Sequence, residues 1–269
     1  MATHELRQYV QAARNGGLSD AQIIEHLEQF GWTPTLVEAG FNALIEPSLT
    51  SMVIDARAIV KTYEGSTNAL RGVSLSIEKG TSVAIIGKSG SGKSTLMHII
   101  ATLDRPTSGE LFIDGTATSH LSQSEIDALR NKKFGFVFQQ FFLNGRDTCL
   151  DNVTLPLAIM GISRKERTER GMDMLRTLGM EEKAQQKANN LSGGQKQRLC
   201  IGRALISHPE VIFADEPTGN LDTENSANIM KILLDLQKER GITLILVTHD
   251  PDLAKLCDRT ITIKDGLIL

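Results

Sequence analysis

The spacing of hydrophobic residues changes close to position 50 of the chain. In the first 46 residues, apolar side chains recur at the spacing of amphipathic helices, without any run of β-branched residues. Beyond Met52, short runs rich in Val and Ile alternate with glycine-containing segments, as in strands joined by turns. The pattern predicts a small helical unit at 1–46 and an α/β domain at 52–269.

The N-terminal unit is predicted to contain three short helices packed around Trp32. Its middle helix has the clearest signals, because a capping-box pair, Ser19 and Gln22, precedes an apolar face that runs from Ile23 to Phe30. The arrangement loosely resembles a ubiquitin-associated-type bundle. Its role stays open between a docking or self-association module and an inert extension.

The larger domain contains several apolar runs that predict β-strands. Two of the later runs are apolar throughout, which is typical of a parallel sheet covered by helices on both faces. Between Asp151 and Asn190 the strand signal gives way to helical spacing, and Ser163 with Glu166 forms another capping-box pair. We therefore expect a helical subdomain at about 140–195. The predicted strands are Val53–Val60, Val73–Ile77, Ser82–Ile86, Glu110–Ile113, Val211–Ala214, Thr243–Val247 and Thr260–Ile263.

Composition limits the compartment and the partners of the chain. Lys and Arg number 29 against 32 Asp and Glu, giving a net charge of −3, so the basic excess of a nucleic-acid-binding protein is missing. No apolar run reaches the roughly 18 residues of a membrane span, and the N-terminus lacks the features of a signal peptide. Cys149, Cys200 and Cys257 are too widely spaced for a zinc or redox motif. These features predict a cytoplasmic chain without a nucleic-acid partner.

The strand predicted at Ser82–Ile86 runs directly into a sequence of the form GxxxxGK[ST], followed by a helix that is expected to start near Thr95. In this context the loop binds phosphate, because its backbone N–H groups point inward and the helix N-terminus adds a positive dipole. Lys93 is expected to contact the β- and γ-phosphates of a nucleotide, and the Ser94 hydroxyl to bind Mg²⁺. The predicted nucleotide-binding residues of this loop are Gly87, Lys88, Ser89, Gly90, Ser91, Gly92, Lys93, Ser94 and Thr95.

A second motif lies where the strand predicted at Val211–Ala214 ends in Asp215 and Glu216. Taken alone, two acids could simply mark the point where a strand reaches solvent. Beside a phosphate loop, however, they are typical of a Walker B strand. Asp215 is then expected to hold Mg²⁺ through its water shell, and Glu216 to orient and deprotonate the water that attacks the phosphate.

A third motif consists of Ser192, Gly193, Gly194 and Gln195, called the signature end below, at the start of a predicted helix. A serine and two glycines at a helix N-terminus present backbone N–H groups and a positive dipole, so the chain carries two phosphate-binding ends. Within one copy, both ends reach one nucleotide only if the helical insert folds back over the phosphate loop. In a two-fold dimer, each signature end instead covers the γ-phosphate held by the other copy.

These motifs, in this order, resemble the nucleotide-binding subunit of ATP-binding cassette (ABC) transporters from Met52 to the C-terminus. The resemblance implies an α/β fold of the phosphate-loop NTPase type, with ATP and Mg²⁺ as ligands. It also implies roles for four further residues. Tyr63 would stack on adenine, Gln139 would meet Mg²⁺ and the lytic water, Asp222 would occupy the D-loop position, and His249 would contact the γ-phosphate.

The stretches LRGVSLSIEKG, TLDRPTSGE and VTHDPDLAKLCDR are similar to the branch of this family that includes macrolide-exporter, lipoprotein-releasing and cell-division ATPases. The resemblance implies a homodimer in the ATP-bound state and an integral-membrane permease with an extracytoplasmic domain, which places the chain at the cytoplasmic face of the membrane. The segment after Gln140 departs from the branch pattern, at the surface expected to dock the permease. A soluble, non-transport ABC ATPase is the alternative, and mechanotransmission stays open beside export.

Overall fold

The computed structural model divides the chain into two compact units, Met1–Met52 and Val53–Leu269. The residues that the structure describes are 13, 20–29, 52–63 and 67–269.

The smaller unit contains the helix α1 (Asp20–Gln29). Ile23 and Leu27 are buried on this helix, whereas Ile24 is 37% exposed. The middle helix of the predicted bundle is therefore confirmed, with a narrower buried face than its sequence indicates. The two other predicted helices, the capping-box serine and the core around Trp32 lie outside the described residues.

The larger unit combines two sheets with helices. In chain order, its strands are β1 (Met52–Tyr63), β2 (Thr67–Glu78), β3 (Ser82–Ile86), β4 (Ser108–Ile113), β5 (Thr116–Ala117), β6 (Phe134–Phe138), β7 (Val211–Asp215), β8 (Thr243–Thr248), β9 (Arg259–Lys264) and β10 (Leu267–Ile268). Its α-helices are α2 (Lys93–Ile100), α3 (Gln123–Lys133), α4 (Cys149–Ile159), α5 (Arg164–Thr177), α6 (Gly193–Leu205), α7 (Thr223–Arg240) and α8 (Pro251–Ala254). All seven predicted strands are present. Six of them lie within about three residues of their expected bounds, whereas β2 starts at Thr67, six residues before the expected Val73.

The larger sheet has the strand order β10-β9-β3-β8-β7-β6. Strands β9, β3, β8, β7 and β6 run parallel, and β10 pairs antiparallel with β9. Ile86 pairs with Thr248, and Asp215 pairs with both Val247 and Phe138. The carboxyl ends of β3, β8, β7 and β6 therefore meet at one edge of the sheet, where ligands bind in open α/β folds.

Each face of the parallel sheet contributes to its own core. Ile212, Ala214, Leu244 and Leu246 pack with the apolar side chains of α4, α5, α6 and α7. Their neighbours Phe213, Ile245 and Val247 face the opposite way and pack with α2 and with strands β1, β2 and β4. Because successive strand residues point to opposite faces, this alternation requires an apolar residue at every position.

The smaller sheet corrects the prediction of a single parallel sheet with helices on either side. Its strand order is β2-β1-β4-β5, and β4 pairs antiparallel with both β1 and β5. One face of the parallel sheet is therefore covered by α2 together with a second sheet. The amphipathic runs in β1 and β4 could not reveal this arrangement, because half-buried strands show the same alternation in either pairing direction.

The helical part of the chain begins later than expected. Residues 139–148 form turns and irregular backbone, and the first helix of this part, α4, starts at Cys149. Ser163 caps α5 by accepting a hydrogen bond from the Glu166 backbone N–H, which is one half of the predicted capping box. The Glu166 carboxylate accepts from Arg170 Nη1 at 3.5 Å. The predicted helical subdomain thus opens with an irregular segment that follows β6.

Candidate functional site

The phosphate loop connects β3 to α2, and close packing fixes its path. A Cβ atom at Gly87 would lie 2.2 Å from the Ile263 carbonyl oxygen, and one at Gly92 would lie 2.5 Å from the Ala69 carbonyl oxygen. Gly92 also has a φ of 105°, which only glycine adopts readily. Helix α2 starts at Lys93, two residues earlier than its sequence predicts, because Gly92 serves as the N-cap. The glycines therefore allow β9 and β2 to pack directly against the loop.

Lys93 is held across the loop that precedes it. Its ammonium nitrogen donates hydrogen bonds to the carbonyl oxygens of Gly87, at 2.8 Å, and Lys88, at 2.9 Å. This contact places a positive charge at the mouth of the loop, next to the N-terminus of α2. Both features favour an anion at the same position.

A cavity of about 730 Å³ lies in front of the phosphate loop. It brings together the first two predicted motifs and the predicted histidine. The predicted residues that line it are Ser89, Gly90, Gly92, Lys93, Ser94, Thr95, Asp215, Glu216 and His249. The structure thus places the loop, the paired acids and the histidine around one concave space.

Glu216 and His249 are in direct contact on the wall of this cavity. His249 Nδ1 lies 2.8 Å from Glu216 Oε1, and the Thr248 hydroxyl donates to Glu216 Oε2 at 3.4 Å. The donor in this pair depends on the histidine tautomer. When Glu216 is ionised, its carboxylate only accepts hydrogen bonds, and His249 Nδ1 must then carry the proton. The Glu216 N–H donates to the Val247 carbonyl oxygen at 2.9 Å, which anchors the acid to the adjacent strand. Glu216 has a positive φ of 46°, an uncommon conformation that is found more often at functional sites.

Asp215 experiences a different environment from its neighbour. Burial raises the pKa of its carboxyl group, and the negative charge of Glu216 raises it further. His98 and Lys93 oppose this shift through their charges. A carboxylate with a raised pKa is stabilised by a nearby cation, so Asp215 is suited to share its charge with a bound metal ion.

The signature end has the expected local structure but does not line the cavity. Ser192 is the N-cap of α6, and the Gln195 N–H donates to the Ser192 hydroxyl at 3.4 Å. The Ser192 N–H in turn donates to Gln195 Oε1 at 3.0 Å, which completes a capping box. Ser192 and Gly193 are exposed. Among the described residues, those that line the cavity include none of 192–195.

In the described part of the chain, Gly87, Lys88 and Ser91 of the phosphate loop and three predicted site residues elsewhere also lie off the cavity wall. Tyr63 is 43% exposed, and its hydroxyl donates to the Asp104 carboxylate at 3.2 Å. Gln139 packs next to Gly219, where a Cβ atom would lie 2.7 Å from Gln139 Nε2.

Asp222 is the third of these residues and is the N-cap of α7. Its carboxylate accepts a hydrogen bond from the Asn225 N–H at 2.8 Å, which lowers the pKa of Asp222. The Lys88 carbonyl oxygen accepts a hydrogen bond from the Lys93 ammonium, and Lys88 is not among the described residues that line the cavity.

The cavity also contains residues that sequence reasoning missed. Arg71 on β2 donates its N–H to the Gly266 carbonyl oxygen at 2.9 Å, and the Gly266 N–H donates to the Ser91 carbonyl oxygen at 3.0 Å. The C-terminal turn therefore buttresses the phosphate loop. An Asp-Gly pair is a turn signal, but its contact with the loop could be found only in three dimensions. The missed lining residues are Asn68, Ala69, Arg71, Val247, Asp265 and Gly266.

A family model described as ABC transporter matches residues 70–219. The lipoprotein-releasing system ATP-binding protein LolD of Bacteroides thetaiotaomicron is 47% identical over 216 residues, which make up 80% of this chain and 99% of that protein. The macrolide export ATP-binding/permease protein MacB of Chlorobaculum tepidum is 47% identical over 220 residues, which make up 81% of this chain and 34% of that protein. The chain therefore matches about a third of MacB.

A solved structure leads to the same family. It is the dimeric structure of the ATP-binding cassette MJ0796 in a post-hydrolysis state, bound to ADP and Pi. It aligns with a TM-score of 0.74 and 43% identity over 80% of this chain and 96% of that chain.

Across the described residues, no helix combines the length and the apolar character that a membrane crossing requires. The similarities favour a transporter subunit over the soluble, non-transport ABC ATPase that the sequence leaves as an alternative. Because the family model covers more than half of the chain and its relatives align along nearly the whole cassette, the chain belongs to the ABC transporter family, as an ATP-binding and ATP-hydrolysing subunit.

Proposed function

We propose that the cavity is one half of a composite ATP site, and that hydrolysis there drives a separate membrane permease. The observation that carries this proposal is the contact of 2.8 Å between Glu216 and His249 on the same cavity wall as Lys93. A carboxylate oriented by a histidine and facing a phosphate-binding loop has the geometry of a general base for water.

The phosphates of ATP are proposed to lie against the backbone N–H groups of residues 87–95, with the Lys93 ammonium on the β- and γ-phosphates. Tyr63 is proposed to stack on adenine. It stands at the end of β1 with much of its ring exposed, and the Lys61 ammonium lies 5.0 Å from the ring centroid. The exposed aromatic ring supports that role.

Mg²⁺ is the metal that the donor set fits. Ser94 and Asp215 line the cavity together and supply a hydroxyl and a carboxylate, which are oxygen ligands suited to Mg²⁺ alongside phosphate oxygens. The described residues contain no group of three His, Cys, Asp or Glu side chains placed to bind a metal ion, as expected where phosphate oxygens complete the shell. Gln139 is proposed as a further ligand, and the bound ion would neutralise charge on the β- and γ-phosphates.

Hydrolysis is proposed to proceed by in-line attack of water on the γ-phosphorus. The water oxygen forms the new bond, and Glu216 accepts the proton that the water loses. The bond between the γ-phosphorus and the bridging oxygen breaks, and ADP leaves with its electron pair. His249 holds Glu216 in place and contacts the γ-phosphate, while Gln139 helps to position the water.

A second copy of the chain is proposed to complete each site. The signature end lies at an exposed helix terminus away from the cavity of its own copy. Because the Ser192 and Gln195 N–H groups are used within the capping box, the N–H groups of Gly193 and Gly194 are the ones proposed to bind phosphate held by another copy. Asp222 caps the helix that follows the catalytic strand and lies on the proposed interface. The dimeric form of the cassette MJ0796 supports this arrangement.

An exposed apolar groove of about 360 Å³ is proposed to dock the permease. Phe142 is 65% exposed, Leu155 is 47% exposed and Ile159 is 67% exposed on its walls, beside Phe136 and Phe138. An apolar patch of this kind on a soluble surface marks an interaction site. Phe138 and Phe142, which line the groove, flank Gln139 in the chain, so a docked helix would lie close to this proposed site residue.

The permease is proposed to carry a large extracytoplasmic domain and to hold the chain at the cytoplasmic face of the membrane. Similarity to LolD and MacB supports this partner class, and export of a lipid-linked or hydrophobic cargo is the favoured output. A permease that transmits force without moving cargo would use the same site.

Replacing Ile159 with Asp should abolish co-purification of the chain with its permease, because a charge would be buried in the docking groove. The measurement is mass spectrometry of proteins retained by the tagged chain from detergent-solubilised membranes. Leu256→Asp is the matched control, since Leu256 is 53% exposed and lies outside the groove. Equal recovery of a membrane protein with an extracytoplasmic domain by both variants would exclude the groove as its docking site.

A further inference from the structure

The backbone at Phe142 adopts a conformation that needs support from its surroundings. Phe142 has a φ of 45°, in the left-handed region that bulky residues rarely enter. It lies in the irregular segment between β6 and α4. Such a conformation persists only where neighbouring groups hold it in place.

Helix α6 supplies these groups. Arg203 donates from Nη1 to the Phe142 carbonyl oxygen at 2.6 Å, and from Nη2 to the Phe141 carbonyl oxygen at 2.9 Å. The Cys200 thiol also donates to the Phe141 carbonyl oxygen, at 3.1 Å. Burial raises the pKa of Cys200 to about 11, so the thiol keeps the proton that it donates. Two successive carbonyl groups are thus fixed by side chains of a single helix.

The clamped residue faces the docking groove. The ring of Phe142 packs edge-on against Phe138, with 5.4 Å between ring centroids, and lines the groove. Arg203 also lines the groove. The backbone that carries this exposed ring is therefore held by the two hydrogen bonds from Arg203 rather than by burial of the ring in a core.

The same helix begins at the signature end. Arg203 lies ten residues beyond Gly193, which corresponds to about 15 Å along a helix that rises 1.5 Å per residue. A helix is stiff over this distance, so a displacement of one end is passed to the other. Helix α6 therefore joins a phosphate-binding terminus to a residue of the docking groove.

We propose that Arg203 is a positioning residue that couples Phe142 to helix α6, so that engagement of the signature end by ATP moves the Phe142 ring within the docking groove. The inference rests on the proposed composite ATP site. Arg203 would pass movement of helix α6 to the docking groove, a role that neither the phosphate loop nor the pair of Glu216 and His249 performs.

The test uses the full chain with a fluorescent reporter in the groove. Trp32 is the only tryptophan, so Trp32→Phe with Phe142→Trp leaves one reporter ring, and Glu216→Gln preserves bound ATP. ATP should change the acrylamide quenching of this ring. Arg203→Gln should remove that change while ATP binding and thermal stability are kept. Arg203→Lys, which keeps the charge but places its donors on a single nitrogen, should restore part of it.

Arg170→Gln is the matched control, because Arg170 also donates to a backbone carbonyl, that of Ile206, at 2.9 Å, without touching the Phe142 segment. It should keep the full quenching change. The inference is overturned if Arg203→Gln responds to ATP like its parent, or if the parent forms dimers without any change at the reporter. If Arg203→Gln does not fold, Arg203→Met replaces it, because it removes the donors and keeps much of the apolar stem, and a full response from that variant overturns the inference.

Size-exclusion chromatography of the same samples separates this inference from the proposed composite site. If ATP fails to produce dimers of the Glu216→Gln parent, the composite site itself is wrong. Dimers without a reporter response contradict only the role of Arg203.

Discussion

Glu216→Gln should lower the rate of ATP hydrolysis by about 10²- to 10⁴-fold, the usual contribution of a general base, and leave ATP binding intact. The amide keeps the size and one hydrogen-bond acceptor of the carboxylate but cannot take a proton from water. Because bound ATP then persists, the variant should also remain dimeric for longer. Steady-state phosphate release and equilibrium nucleotide titration measure the two effects separately.

Glu169→Gln is a suitable control for this substitution, since Glu169 is exposed on α5, away from the cavity. It should hydrolyse ATP at the rate of the unaltered chain. If Glu216→Gln also did so, the proton would have to go to another group, and the contact with His249 would be purely structural.

Lys93→Ala should weaken the binding of ATP by about 10- to 100-fold. A charge-assisted hydrogen bond to phosphate contributes about 1.5–3 kcal/mol, and each 1.4 kcal/mol corresponds to a factor of ten in affinity. The substitution also removes the two bonds from the ammonium to the Gly87 and Lys88 carbonyl oxygens, which help to shape the loop. Titration with a fluorescent nucleotide measures the dissociation constant directly.

Lys255→Ala provides the comparison, because Lys255 is 74% exposed and pairs only with Asp252, among the described residues, at 2.8 Å. Its affinity for the nucleotide should match that of the unaltered chain. An unchanged affinity in Lys93→Ala would mean that the loop N–H groups alone bind the phosphates.

Local signals in the sequence were sufficient for the motifs and most strands. The inner positions of strands β3, β7 and β8 are apolar because both faces of these strands are buried, and such apolar runs can be recognised without a structure. The capping box at Ser192 and Gln195 was predictable for a similar reason. It is formed entirely by residues three apart on one helix terminus.

Features that depend on contacts between distant segments were not predictable in this way. Gly135 interrupts the apolar run of β6. A glycine is needed there because a Cβ atom at this position would lie 2.4 Å from the Ala204 carbonyl oxygen of α6. Arg71 and Gly266 meet the phosphate loop from opposite ends of the larger unit. The clamp from Arg203 to Phe142 likewise joins residues far apart in sequence.

The positions of Tyr63, Gln139 and Asp222 show a further limit of motif reading. Their roles were inferred from similarity, and in a single copy their side chains contact other groups than the cavity. A contact with ATP or with a second copy of the chain is not visible in the structure of one chain alone. They stay predictions that binding and dimerisation measurements test.

The central claim is that each ATP site combines the phosphate loop of one copy with the signature end of another, and mixing two inactive variants tests it most directly. Lys93→Ala disables the loop. Ser192→Asp keeps an N-cap residue on α6 but places a negative charge where the γ-phosphate is expected. Each variant alone should be nearly inactive, whereas a mixed dimer contains one site with both parts intact.

With random mixing and independent sites, the equimolar mixture should regain about a quarter of the ATPase rate of the unaltered protein. Thermal unfolding of each variant shows that both are folded before they are mixed. An ATPase rate in the mixture no higher than the average of the two variants alone would contradict the composite site.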